Sequence, residues 1–174
     1  MAFGATSAIF QQAMLNPIMG RCWTTAAPTT FGSLSADTVN VALFNNTTTP
    51  DKTAAVASTG FNTGVWTTTN EVTDATNWTS GGRPTASKAF SIDTGSSSVC
   101  FQAAATAGAG NVTIANAYGC LVYDSTITAG TVAKQGLCYN SFGGSAQGVT
   151  AGTFTVLWAT VGALTNVVIF NVTV

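Results

Sequence analysis

Thr153-Phe154-Thr155-Val156-Leu157-Trp158 is the stretch that decides the fold. Phe154, Val156 and Trp158 fall two residues apart with Thr153 and Thr155 between them, the period of a strand that buries one face. Working outward, similar short segments occur at 88–92, 98–103, 111–115, 118–123, 135–142 and 166–174. Their separators are rich in Gly or Ser, as in Thr106-Ala107-Gly108-Ala109-Gly110 and Gly143-Gly144-Ser145. Upstream, Asp37-Thr38-Val39-Asn40-Val41-Ala42-Leu43-Phe44 sets Val39, Val41 and Leu43 on one face and Asn40 on the other, and opens the series. Short strands at this spacing, with no helical pattern between them, predict an all-β fold. The expected form is an antiparallel β-sandwich or jelly-roll-like domain over residues 37–174.

Residues 1–36 read as an arm and linker, helical or extended. Phe10, Met14 and Ile18 recur at i, i+4 and i+8, so a helix is expected within 1–21, with Ser7 as its cap and Pro17 and Gly20 at its end. Residues 24–36 have the composition of a linker. Phe3, Phe10, Met14, Ile18 and Trp23 give the arm more apolar surface than an isolated helix can leave in water. That surface docks either on the chain's own domain or on another subunit. Because the linker decouples the arm, the second is the expectation. Residues 53–85 have little periodicity yet carry Trp66 and Trp78, which must be pinned to something since exposed indoles are costly. With the arm residues, these two tryptophans are the candidate partner contacts.

Composition narrows the functions. The chain has five basic and six acidic side chains and no histidine, 6% charged in all, where an ordinary domain has roughly a quarter. The usual titratable equipment of an enzyme is therefore scarce. Five scattered basic residues make no phosphate-binding footprint, so nucleic acid is not an expected partner. No run of 18 apolar residues is present, so no membrane partner is expected, and residues 1–21 lack the early basic residues of a secretory signal. A formal net charge of −1 suits a surface covered by copies of the chain or by a partner better than that of a free monomer.

The remaining chemistry is weak. Without histidine no Ser-His-Asp arrangement exists, and no Ser-x-x-Lys replaces it. Glu71 and Asp74 share a polar loop and have the makings of a glycosidase-like pair, but loop acids on a surface are far commoner. Asp51, Asp74, Asp93 and Asp124 are not spaced as a calcium loop, and Gly108 and Gly110 lack the Lys and helix of a phosphate loop. Cys22, Cys100, Cys120 and Cys138 form no CxxC pair, which argues against zinc, and three of them lie in apolar strand-like surroundings. Buried free thiols are expected rather than disulfides. Asn-x-Ser/Thr sequons begin at Asn45, Asn46, Asn77, Asn111 and Asn171, and threonine is common enough for chance to produce them. No catalytic residue, cofactor or metal is expected.

Four stretches taken together resemble a family of small virion structural proteins of tailed bacteriophages, of the actinobacterial-phage type. They are Asp37 to Phe44 with the Thr-rich loop to Pro50-Asp51, and Trp66-Thr67-Thr68-Thr69-Asn70-Glu71-Val72-Thr73 leading to Gly81-Gly82. Ala117-Tyr118-Gly119-Cys120-Leu121-Val122-Tyr123-Asp124 is the third. The fourth is Phe142-Gly143-Gly144 followed by Gly152 to Trp158. The resemblance lies in their order across about residues 37 to 165, with Asn77-Trp78-Thr79-Ser80 in place of a Gly-Tyr entry. It implies a minor capsid or decoration protein on the virion head, made in the bacterial cytoplasm. Its implied partners are the major capsid protein and copies of itself, as a homotrimer. A tail tube or fibre-associated role is a rival. So is a carbohydrate-binding or adhesive β-sandwich that uses Trp66 and Trp78 as stacking platforms.

Overall fold

The computed structural model describes residues 3–4, 7–10, 37–128 and 133–173. Fourteen strands follow one another among the described residues. They are β1 (Ala8–Ile9), β2 (Val39–Phe44), β3 (Glu71–Val72), β4 (Arg83–Pro84), β5 (Ala89–Asp93), β6 (Ser98–Gln102), β7 (Thr106–Ala107), β8 (Val112–Ala117), β9 (Gly119–Asp124), β10 (Gly136–Ser141), β11 (Gln147–Gly152), β12 (Thr155–Val156), β13 (Ala159–Val161) and β14 (Leu164–Thr173). A single 3-10 turn at Val56–Ser58 is the one helical element among the described residues. The main sheet runs β1-β10-β9-β2-β3, with β4 also on β2; a second runs β13-β14-β6-β5; β8 pairs β11 and β7 pairs β12. The pairings within all these sheets are antiparallel, and the fold is all-β with the character of a sandwich.

The main sheet is apolar on both faces. Val39, Val41 and Leu43 of β2 join Cys120 and Val122 of β9 in one core, with Phe101 and Ile169 from the second sheet, Val156 from β12, and Trp78, Phe154 and Trp158 from the connections. The alternation expected at 153–158 is present in full, since Phe154, Val156 and Trp158 are buried while Thr153, Thr155 and Leu157 are exposed. Only Thr155–Val156 are paired as a strand, against β7. Trp158 is fixed in addition by its indole N–H, which donates to Ala104 O at 2.8 Å.

The opposite face carries a second core of Ala42, Phe44, Leu121, Tyr123 and Tyr139, closed over by Phe3, Phe10, Phe61 and Trp66. Trp66 is its hub, with ring centroids 5.1 Å from Phe44, 5.9 Å from Phe10 and 6.2 Å from Phe3, all edge-on. The arm reaches this core through two glycines. A Cβ on Gly119 would lie 2.3 Å from the Phe3 ring, and one on Gly136 would lie 2.7 Å from the Phe10 ring. Glycine is needed at both, for the phenyl rings and for the backbone carbonyls of Asn140 and Thr59, which a Cβ would meet at 2.6 Å and 2.1 Å.

Two expectations are corrected. Residues 8–9 form β1 rather than part of a helix, with Ala8 opposite Tyr139 and Ile9 opposite Cys138. Ser7 caps no helix; its Oγ accepts a hydrogen bond from Ser141 N at 2.8 Å. The physical reason is that β10 offers this segment backbone partners and apolar cover, whereas a lone helix of this length is marginal. Strand β11 was not expected, because its sequence, Gln147-Gly148-Val149-Thr150-Ala151-Gly152, has one large apolar residue and pairs at the surface.

Cys100, Cys120 and Cys138 are free and buried. Burial pushes the Cys120 thiol up to about 12 and raises that of Cys138 as well, so both stay protonated and inert. All three should label only after unfolding, without reductant, and a labelled mass short of these thiols would reveal a disulfide. Phe154→Ala removes a ring packed 5.6 Å from Trp78. It should cost about 3–5 kcal/mol in urea unfolding, and an unmoved midpoint would contradict this placement.

Candidate functional site

Of the residues singled out as partner contacts, Phe3, Phe10, Trp66 and Trp78 are 2%, 0%, 1% and 0% exposed within the single chain. Within the single chain these four side chains are taken up by its own two cores. Met14, Ile18 and Trp23 lie outside the described residues. The same burial removes Trp66 and Trp78 as stacking platforms for a sugar, which would need an open indole face.

The exposed apolar surface lies instead on the second sheet. Ile92 is 75% exposed, Phe90 53% and Val99 38%. Register places Ile92 opposite Val99 and Val99 opposite Val172, while Phe90, Phe101 and Phe170 make the neighbouring row. Ring centroids along that row are 5.0 Å and 5.4 Å apart. Phe101 is fully buried in the core, so the row runs from the core outward to an apolar overhang. Strand β5 is the edge of its sheet, and its pairing with β6 is unbroken from Ala89↔Gln102 to Asp93↔Ser98. Edge strands are normally guarded by Lys, Pro or a bulge, and the run Ala89-Phe90-Ser91-Ile92 has none of these.

The hairpin that holds this edge is built by Asp93. Its carboxylate accepts hydrogen bonds from Ser96 Oγ at 2.5 Å and Ser96 N at 3.1 Å. The Ser96 hydroxyl, then the Ser96, Gly95 and Ala163 amides, hold Asp93 below the usual carboxylate range. The Ala163 contact ties the β5–β6 turn to the β13–β14 turn. The sequence signal for this face was available, since Phe90 and Ile92 share a parity within the expected strand. What the sequence does not carry is that this end of the sheet extends past its core.

The acids Glu71 and Asp74 are each held by donors of their own. Glu71 accepts from Ser80 Oγ at 2.6 Å and Gly81 N at 2.8 Å, and burial raises its pKa. Asp74 accepts from the amides of Asn77, Thr76 and Thr113, which lower its pKa and fasten the loop to β8. No group of three or more His, Cys, Asp or Glu placed to hold a metal occurs among the described residues.

Asp37 and Asp124 form a second feature that the sequence did not reveal, at the start of β2 and the end of β9. Both carboxyls are buried, at 8% and 0% exposure. Asp124 Oδ1 accepts from Thr126 N at 2.9 Å, while Asp37 Oδ2 and Asp124 Oδ2 are buried with no donor against them, and the two carboxyls lie close enough to shift one another. Burial raises both, and burial with the neighbouring Asp37 charge pushes Asp124 up to about 7, while Lys88 eases Asp37 down. Two like acids this close hold one proton between them. Around them Thr38 N donates to Thr126 Oγ1 at 2.7 Å, and Ser125 donates to Thr38 O through its amide and hydroxyl, each at 2.8 Å.

A scan against protein-family models and searches of curated proteins and solved structures give no match to this chain.

The carboxyl pair makes stability depend on pH. The unfolded chain releases the Asp124 proton near 3.8 and the folded chain near 7, so between these values the folded state binds more protons. The contribution is complete below about pH 4 and is lost as pH rises through about 7. Urea midpoints should therefore fall from pH 5 to pH 8. Asp124→Asn should flatten that slope and gain about 1 kcal/mol or more at pH 8, and an unchanged slope would contradict the shared proton.

Proposed function

We propose that the chain is a non-enzymatic structural protein of a tailed-bacteriophage virion. In this reading it is a minor capsid or decoration protein that binds the head shell together with copies of itself, as a homotrimer. The observation that carries the reading is the unguarded apolar edge of β5, where Phe90 and Ile92 project into solvent beside Val99. A free monomer gains nothing from such an edge, whereas a subunit seated on a lattice covers it. The scarcity of charge agrees, because neighbours at 6% charged residues do not repel one another when crowded. The order of the four stretches across about residues 37 to 165 supplies the family resemblance. The mechanism is mass action: a protein that binds the assembled shell better than its free subunits stabilises the shell.

Ile92→Lys tests the reading. The site is mostly exposed, so stability should stay within about 0.5 kcal/mol of the parent. Co-sedimentation with particles, read beside the protein's position in a particle map, should show binding lost in the variant and the parent at sites on the head. Undiminished binding of the variant would remove β5 as the contact. Density along the tail would replace the head reading with the tail one, and absence from particles would overturn both.

A further inference from the structure

We propose that β5 is a self-pairing edge, which joins antiparallel to β5 of a second copy about a two-fold axis through Ser91. The proposal rests on the virion reading's choice of β5 as the contact, names the partner there, and does not require a head shell. A sheet edge recruits strands through its unpaired backbone groups, and its side chains decide which strand is accepted. The second sheet has two edges, β13 and β5. Strand β13 has three residues and a register shift between Ala159 and Val161, the short and irregular form that resists pairing. Strand β5 has five residues in unbroken register with β6 and carries the exposed Phe90 and Ile92.

The sequence of β5 selects a second β5, and one register of it. Residues opposite each other in an antiparallel pair share a face, so a two-fold axis between identical strands passes through a residue and not between two. With the axis at Ser91, each Phe90 lies opposite the partner's Ile92, Ala89 opposite the partner's Asp93, and Lys88 opposite the partner's Thr94. The apolar rows of the sheet then run on without a break. Phe170, Phe101 and Phe90 of one copy continue into the partner's Ile92, Val99 and Val172, and the axis repeats the row in the opposite sense. Moving the axis by one residue spoils the match. An axis through Phe90 sets Ile92 against the partner's Lys88, and one through Ile92 sets Phe90 against the partner's Thr94. Charge agrees with the antiparallel sense. Lys88 precedes the strand and Asp93 ends it, so antiparallel copies bring each Lys88 to the partner's Asp93 end, whereas parallel copies set like charge beside like. One patch serves both copies, so the contact closes at two. A threefold takes two different surfaces, so on a lattice this contact links neighbouring trimers. A pair of five-residue strands is far smaller than a standard interface of about 1,600 Å², and the free protein therefore dimerises weakly, at high concentration.

The test uses the full chain without particles. Ser91→Cys places two thiols across the axis, at a Cα separation of about 4.5–5.5 Å that a disulfide spans. The background carries Cys22→Ser and also Cys100→Ala, because Cys100 stands opposite Ser91 on β6. Oxidation at high protein concentration should give a band at twice the chain mass that collapses on reduction. Ser145→Cys, exposed in the turn before β11, should give far less in the same background. No dimer from Ser91→Cys, or as much from Ser145→Cys, overturns the proposal. If the cysteine variant does not fold, sedimentation of the parent beside Ile92→Lys decides. The parent should show a monomer–dimer equilibrium that shifts with concentration, and Ile92→Lys, which sets a charge against the partner's Phe90, should stay monomeric over the same range. A parent that is monomeric throughout overturns the proposal, as does a variant that dimerises equally. A protein that dimerises through β5 but is absent from particles keeps this proposal and loses the virion reading, and a particle-bound protein that never cross-links at β5 does the reverse.

Discussion

The structure depends on the pairing of β2 with β9, six residues in unbroken register from Val39↔Asp124 to Phe44↔Gly119. Both strands are apolar on both faces, so neither face can be left to water. One face is covered by the second sheet and by the connections that carry Trp78, Phe154 and Trp158. On the other, the described residues place no sheet. That face is closed by irregular chain, with Phe61 and Trp66 from the loop after β2 and Phe3 and Phe10 from the arm. The long irregular segment and the apolar arm are therefore consequences of one requirement, that a central strand pair buried on both sides be roofed twice.

That requirement was half legible in the sequence. The period at Phe154, Val156 and Trp158 and the run Gly119 to Asp124 announce strands, because side-chain alternation and continuous apolar runs are local properties. The reading of Trp66 and Trp78 as pinned was also sound, since an indole among Thr and Asn needs a partner. Which partner is a tertiary fact, and here each is held by the chain itself on opposite faces of the main sheet. The helix expected in the arm came from Phe10, Met14 and Ile18, and of its span residues 11–21 lie outside the described residues. At residues 8–9 the open edge of β10 overrides that local preference. The seats of Phe3 and Phe10 had a fainter signal. Gly119 and Gly136 sit at the starts of strands, where glycine is unfavourable, and such positions mark close approach by another group.

The few acids explain themselves in the same physical terms. Asp51 accepts from Thr53 N and Thr53 Oγ1, Asp74 from Thr76, Asn77 and Thr113, Asp93 from Ser96, and Glu71 from Ser80 and Gly81. Each carboxylate organises the amides of a turn that has no helix or ladder to satisfy them. The charge retained by this chain is thus placed where backbone donors need an acceptor, and little is spread across the surface for solubility. Asp124 accepts from Thr126 N in the same way, but its other oxygen is buried beside Asp37 where the chain enters β2, and neither Oδ2 there has a donor.

An uncharged surface and an unguarded edge are one property seen twice. Natural edge strands resist pairing with foreign strands because a lysine or a bulge makes the contact unfavourable. On β5 the nearest charges are Lys88, which acts on Asp37, and Asp93, which is engaged by Ser96. Lys88 precedes the run and Asp93 ends it, so residues 89–92 between them carry no charge, and a net charge of −1 supplies little long-range repulsion. In dilute solution such a chain is prone to indiscriminate association, so its surface is consistent with a protein whose edge is covered soon after synthesis. Covering Phe90 and Ile92 would contribute about 1.5–3 kcal/mol for each side chain fully buried, and less in proportion to what is already shielded. That is modest for one subunit and large when neighbours bind together, which is the regime in which a weak, uncharged contact is selective for the assembled state over the free one.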